Sequence, residues 1–202
     1  MAIEAPRIAA VVLAAGRSTR MGSNKLLADL NGAPLIRRTV ENVASWPVER
    51  VIVVTGHEAE KVEAAIQGLP VTTVHNADYT LGLAKSLRQA IEHLDTDDAV
   101  LVCLGDMPLV DVEIARRLID AFSAREGRTI CVPAHNGIRG NPVLWSREHF
   151  QAMAALSGDR GAKALMEQFA DRVVQVETLH DGVVTDADTP EALARLRSRS
   201  RP

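Results

Sequence analysis

The sequence predicts an α/β domain, a mostly parallel sheet with helices on both faces, and three observations carry that prediction. Strand-like and helix-like stretches alternate along nearly the whole chain, the pattern of repeated strand–crossover–strand units. The plainest strands, 8–14 and 99–104, are apolar runs of the kind buried on both faces. Apolar residues make up 47% of the chain but aromatics only 3%, so the core must be built from Val, Leu, Ile and Ala. At 202 residues the chain has the length of one domain, taken as 1–202, with enough core to fold without disulfides or a structural metal.

The first strand, 8–14, leads through a turn over 16–22 into a helix at 34–45. A second strand at 50–55 is followed by a helix at 59–67, a short strand at 71–75 and a helix at 83–93. After the strand at 99–104, an amphipathic helix at 111–125 puts Ile114, Leu118, Ile119 and Phe122 on one face. Strands at 129–133 and 142–145 flank a glycine-containing loop, and helices cover 147–156 and 162–169. A strand at 173–176, a short element at 183–184 and a closing helix after Pro190 complete the order. In such sheets ligands bind beyond the carboxyl ends of the strands, so chemistry is expected in the residues that follow each strand.

A net charge of −3, with no long run of Lys or Arg, argues against a nucleic-acid partner. The basic cluster at 195–201 reads as a solvated end. Cys103 and Cys131 lie inside apolar runs and are expected to be buried, reduced thiols, which fits a reducing cytoplasm. Glu4 and Arg7 interrupt the only short apolar stretch near the first residue, and no window approaches a membrane span. A soluble, cytoplasmic protein without membrane contact is therefore expected.

Directly after the first strand come Leu13, Ala14, Ala15, Gly16, Arg17, Ser18, Thr19, Arg20, Met21 and Gly22, with Lys25 three residues on. Gly16 lets the chain bend without a Cβ, so that backbone N–H groups can converge on phosphate oxygens. Ser18 and Thr19 add hydroxyl donors, and Arg20 and Lys25 bring charge to neutralise a polyphosphate. A solvated basic turn would leave this clustering of cations and glycines at a strand end unexplained. Two rival motifs are missing: GxGxxG, which a nicotinamide dehydrogenase would need, and the GxxxxGK of P-loop NTPases. The strand 99–104 runs into Gly105-Asp106-Met107-Pro108, which delivers a carboxylate at a second strand end.

With LAAG-x-S-x-RMG-x-x-K complete from Leu13 to Lys25, the sequence resembles the MobA-like nucleotidyltransferases, and within them the molybdenum cofactor cytidylyltransferases. The resemblance runs along nearly the whole chain, strongest in that stretch and at 105–108. It implies a three-layer, Rossmann-like α/β/α fold of the nucleotide-diphospho-sugar transferase type. It also implies a loop that wraps a nucleoside triphosphate, with Arg20 and Lys25 on its phosphates. Ala15 stands where guanylyltransferase relatives carry Gly, which leans the expected nucleotide toward CTP. Asp106 is the first expected ligand of Mg2+, an ion that favours hard oxygens and takes one or two carboxylates plus substrate phosphates. The resemblance extends to Asp186-Ala187-Asp188-Thr189-Pro190 and points to Asp186 as the second ligand. Asp188 reads instead as the N-cap of the closing helix.

For the nucleoside, the resemblance implies Asn76, Gly82 and Ser86, with Thr55, Gly56 and His57 at the end of the second strand lining the same cleft. It places an acceptor side at Arg139, Gly140 and Asn141 and at Gly158, Asp159 and Gly161, where Arg139, Arg160 or Lys163 would meet an anionic pterin phosphate. Trp46 and Trp145 read as packing residues. The expected reaction is attack of a molybdopterin phosphate on the α-phosphorus of the nucleotide, with Arg20, Lys25 and Asp106 as the catalytic groups. The acceptor arrives ionised, so no general base is required. The product would pass to a molybdoenzyme or its chaperone. Guanylyl transfer, transfer to another phosphorylated small molecule, and a non-catalytic nucleotide- or cofactor-binding module are the alternatives.

Overall fold

In the computed structural model, which describes residues 5–18, 21–158 and 162–199, β1 (Ile8–Ala14) is buried along its whole length. It is followed by α1 (Leu35–Val43), β2 (Arg50–Thr55), α2 (Ala59–Ala65), β3 (Thr72–His75), α3 (Leu83–Ile91) and β4 (Ala99–Leu104). The second half adds α4 (Val112–Ala121), β5 (Ile130–His135), β6 (Ile138–Arg139), β7 (Val143–Ser146), α5 (Phe150–Ala154), α6 (Lys163–Gln168), β8 (Val173–Glu177) and α7 (Pro190–Arg199).

The strands form one sheet in the order β3-β2-β1-β4-β7-β5, with β6 and β8 both paired to β5. β1, β2, β3 and β4 are mutually parallel, and β8 is parallel to β5. β7 runs antiparallel to both its neighbours. Its connection from β5 is too short for a helical crossover, so the chain can only fold back on itself.

Alternation along β1 sends its side chains to two separate cores. Ala10, Val12 and Ala14 pack beneath α1, α2 and α4 through Ile36, Val40, Val62, Ile114 and Leu118. Ala9, Val11 and Leu13 pack with Leu87 and Ala90 of α3, Phe150 and Met153 of α5 and Leu165 of α6. A sheet covered on both faces in this way is the three-layer architecture expected of its apolar strands. α7 belongs to a third cluster, where Leu193 and Leu196 bury Leu30, Leu35 and Ala187.

Several expected boundaries shift. The helix expected to 125 ends at Ala121, because Phe122 turns extended and Ser123 and Arg128 then close a small loop by exchanging two 3.0 Å backbone hydrogen bonds. The helix expected over 147–156 is a 3-10 turn, Arg147–His149, followed by the short α5. The element at 183–184 is the end of a 3-10 turn, Asp181–Val184. Trp46 and Trp145 are core residues, and Cys103 and Cys131 are free and buried. Burial lifts both thiols, Cys131 to about 11, so neither is a thiolate near neutrality. No helix among the described residues is long and apolar enough to cross a membrane.

Candidate active site at the ends of β1 and β4

The chain leaves β1 toward β2 and β3 on one side, then returns to lay β4 on the other. Crossovers that depart in opposite directions leave a crevice beyond the carboxyl ends of the two central strands. Leu13, Leu104, Gly105 and Asp106 line a cleft of about 540 Å³ at this point. The Gly105 N–H donates to the Leu13 carbonyl at 3.0 Å, which continues the β1–β4 pairing into the cleft floor. A Cβ on Gly105 would lie 3.0 Å from Ile36 Cδ1 and 3.1 Å from the Leu13 oxygen, so glycine lets the two strand ends close up beneath Asp106.

Ala15, Gly16, Arg17 and Ser18 carry the chain out of β1 along the cleft. Ser18 adopts a left-handed φ of 52°, its carbonyl accepts from Met21 N–H at 2.9 Å, and its hydroxyl oxygen accepts from Lys25 N–H at 3.1 Å. Asn24 caps the following 3-10 turn by accepting from Leu26 N–H at 3.1 Å. These local bonds fix the Lys25 backbone so that its side chain returns to the cleft. There the Lys25 ammonium donates to both Asp106 and Asp188. Burial works against the Lys25 charge, but Asp106 first and Asp188 second outweigh it and hold its pKa above the ordinary value.

Asp106, Asp186 and Asp188 each offer a carboxylate oxygen within 4.8 Å of the other two. Burial, then the charges of Asp188 and Asp106, raise the pKa of Asp186. An all-oxygen, negatively charged cluster of this kind suits a hard divalent cation. The expected role of Asp188 is corrected here. Thr189, not Asp188, caps α7, accepting from Ala192 N–H at 3.1 Å, while Asp188 turns to Lys25. The signal was the i, i+2 spacing: Ala187 is buried in the core between two carboxylates that face outward together.

Gly82 and Ser86, at the start of α3, also line the cleft, as does Tyr79 of the same stretch, and so does Thr80, which the sequence reading did not name. Thr55 and Asn76 do not line it, which corrects the sequence expectation. Thr55 is fully buried and donates its hydroxyl to Glu63 at 2.8 Å, which secures α2 against the sheet. Asn76 is spent on Asp78 N–H and on Ser86, standing behind the cleft wall. Ala14 is a core residue, and Gly22 is exposed at a left-handed turn outside the lining. Thr19 and Arg20 lie outside the described residues, as do Asp159, Arg160 and Gly161.

A second cavity of about 530 Å³ is lined by Arg139, Gly140, Asn141 and Lys163, and shares Leu13, Leu83 and Leu104 with the first. Gly158, left-handed at φ 73°, accepts from Ala84 N–H of α3 at 3.2 Å and so sits beside the wall common to both. The segment before Asp186 is locked between the two cavities. A Cβ on Gly140 would lie 2.0 Å from the Val183 carbonyl oxygen, and one on Gly182 would lie 2.4 Å from that of Leu109. Asn141 N–H donates to the same Val183 oxygen at 2.8 Å.

The chain is similar over most of its length to known proteins. A molybdenum cofactor cytidylyltransferase of Escherichia coli strain K12 is 29% identical over 191 residues, covering 94% of this chain and 95% of that protein. The bifunctional protein GlmU of Francisella tularensis subsp. novicida is 37% identical over 179 residues, 88% of this chain but only 38% of its own length. A Mycobacterium tuberculosis H37Rv protein, solved in complex with manganese, superposes with a TM-score of 0.77 at 28% identity, covering 95% of this chain and 98% of that one. Residues 10–173 match the family model of the MobA-like NTP transferase domain. That span holds the β1 loop, Lys25, Asp106 and the lining of the second cavity, whereas Asp186 and Asp188 lie beyond it, and the chain belongs to the MobA-like NTP transferase domain family.

Proposed function

We propose that this nucleotidyltransferase moves CMP from CTP to the phosphate of a molybdopterin-type acceptor and releases pyrophosphate. The observation that carries the reading is the meeting of Lys25 with Asp106, Asp186 and Asp188 at the mouth of the β1 loop, beside a second cavity that bears Arg139 and Lys163. The likeness to the Escherichia coli cytidylyltransferase over 94% of the chain supports the acceptor and the nucleotide.

The loop from Ala15 to Ser18 and the Lys25 ammonium would hold the triphosphate, joined by Arg20. Leu13, Ala15, Gly82 and Ser86 would surround the nucleoside. Asp106, Asp186 and Asp188 would hold a magnesium ion, which supplies neutralising charge for the polyphosphate oxygens. Arg139 and Lys163 would neutralise the acceptor phosphate and bring its oxygen in line with the α-phosphorus. A bond forms from that oxygen to the α-phosphorus as the bond to the β-phosphate oxygen breaks, and the electron pair departs with pyrophosphate. A phosphate monoester is already mostly ionised at neutral pH, so no protein group has to remove a proton.

Pyrophosphate release from CTP, GTP, ATP and UTP, each with and without a molybdopterin acceptor, tests the reading. Release should need the acceptor and be fastest with CTP. Release with GTP alone would assign guanylyl transfer, and tight CTP binding without any release would assign a binding module. Arg139 and Lys163, which would meet any acceptor phosphate, equally suit a second reading, transfer to a different phosphorylated small molecule. Release that depends on such a compound and not on molybdopterin would establish it.

A further inference from the structure

We propose that Lys25 is a switch between two anionic partners: it holds Asp106 and Asp188 until a triphosphate arrives, so that the site retains a divalent cation only together with nucleotide. The inference rests on the nucleotidyl-transfer reading above and deepens it.

The same ammonium is wanted in two places. It donates to Asp106 and to Asp188, two of the three carboxylates whose oxygens lie within 4.8 Å of one another. It also lines the cleft together with Ala15, Gly16, Arg17 and Ser18, where the triphosphate would lie. An ammonium has three N–H donors, and two spent on carboxylates leave one for phosphate oxygens. The carboxylates face a matching conflict. Each has a second oxygen, so Lys25 does not exhaust their ligand atoms, but it brings a positive charge close to any cation bound by the same groups. The Lys25 and Asp106 side chains are only 16% and 10% exposed, so water screens that repulsion poorly. Lys25 therefore weakens the hold of the cluster on a metal ion for as long as it stays there.

The side chain can leave without moving the loop. The Lys25 backbone is fixed on both sides, its N–H donating to the Ser18 hydroxyl oxygen at 3.1 Å and its carbonyl accepting from Ala28 N–H at 3.1 Å. The flexible four-carbon stem turns about these points. A polyphosphate along the loop from Ala15 to Ser18 offers the ammonium several charged oxygens, so Lys25 swings to it and relieves the carboxylates of the competing charge. When pyrophosphate leaves, Lys25 returns to Asp106 and Asp188, and the cation departs with the product. Metal and nucleotide thus bind as a linked pair, coupled through one side chain.

Two measurements test this. The first is Mn2+ affinity without nucleotide, read by electron paramagnetic resonance. Lys25→Met, which keeps the length of the side chain and loses its charge, should bind Mn2+ roughly tenfold more tightly than the native chain. The second uses the native chain, so it decides the question even if the variant does not fold. Acylation of Lys25 is followed by mass spectrometry, with the exposed Lys61 as reference. Lys25 should react slowly in the metal-free protein, about fivefold faster with saturating Mn2+ alone, and slowly again once CTP joins the Mn2+. A Lys25→Met chain that binds Mn2+ no more tightly than the native one, or Lys25 labelling that Mn2+ leaves unchanged, would overturn the proposal. Lys25 that stays reactive after CTP joins, or no Mn2+ binding even with CTP, would defeat the underlying reading of the site and this inference with it.

Discussion

Asp106 and Asp188 pair with the Lys25 ammonium while Asp186 is crowded by both carboxylates, and that crowding has opposite consequences for stability and for catalysis. Burial and the two neighbouring carboxylates push the Asp186 pKa up, so its ionised form is less favourable in the folded chain than in the unfolded one at neutral pH. Asp186→Asn should therefore raise the melting temperature of the metal-free protein by roughly 1–3 °C. The same substitution should lower kcat/KM by about 100-fold or more, because the carboxylate is needed for charge stabilisation. Asp106→Asn should lose at least as much activity, without the gain in melting temperature, since it also breaks the pairing with Lys25. Differential scanning fluorimetry and a pyrophosphate-release assay on the same samples read both effects. A loss of melting temperature for Asp186→Asn would contradict the crowding argument.

At the scale of elements, the segment Asp181–Val184 matters because it aims Asp186 and Asp188 at a strand end far away in sequence. Gly182 packs on the Leu109 carbonyl and Gly140 on that of Val183, so the carboxylates are registered against both the turn after Asp106 and the loop between β6 and β7. Gly182→Ala forces a methyl to within 2.4 Å of the Leu109 backbone oxygen, and the turn after β4 must move. A loss of about 1–3 kcal/mol in urea denaturation is expected, together with a disproportionate fall in kcat. Unchanged stability would show that the segment is not wedged as described. This long-range register also explains what the sequence showed and what it hid. The loop from Leu13 to Lys25 is contiguous, so its glycines and cations could be read in place. Asp188 meets Lys25 across 163 residues, and its neighbours Thr189 and Pro190 made it look like a helix cap. Thr55 and Asn76 ended next to strands as site residues do, but their polar atoms were already matched to Glu63, Asp78 and Ser86, and no local pattern reports such pairing.

For the whole molecule, the parallel order of β1 to β4 and the two apolar cores were legible because apolar runs of Val, Ile, Leu and Ala admit few other folds. The antiparallel β7 was not, since only the shortness of its connection reverses the chain. One joint in this assembly is expected to respond to pH. His149 is buried where Trp145 and Phe169 pack around it, with its Nε2 at 2.8 Å from the Thr129 hydroxyl. Burial lowers its pKa, opposed by Glu148 and assisted by Arg172. A depressed folded value means that the stability it contributes is present above the unfolded histidine value, about 6.5, and is lost as pH falls through the window below it. The melting temperature should drop between pH 7.5 and 5.5, and His149→Gln should flatten that drop. An equally steep drop in the variant would place the sensitivity elsewhere.

The most direct test of the central claim is an anomalous-scattering map from a crystal soaked with Mn2+ and CTP. The account predicts a manganese peak within coordination distance of Asp106 and at least one of Asp186 and Asp188, with the triphosphate along the loop from Ala15 to Lys25. A nucleotide bound elsewhere, or a metal peak remote from Asp106, would contradict it.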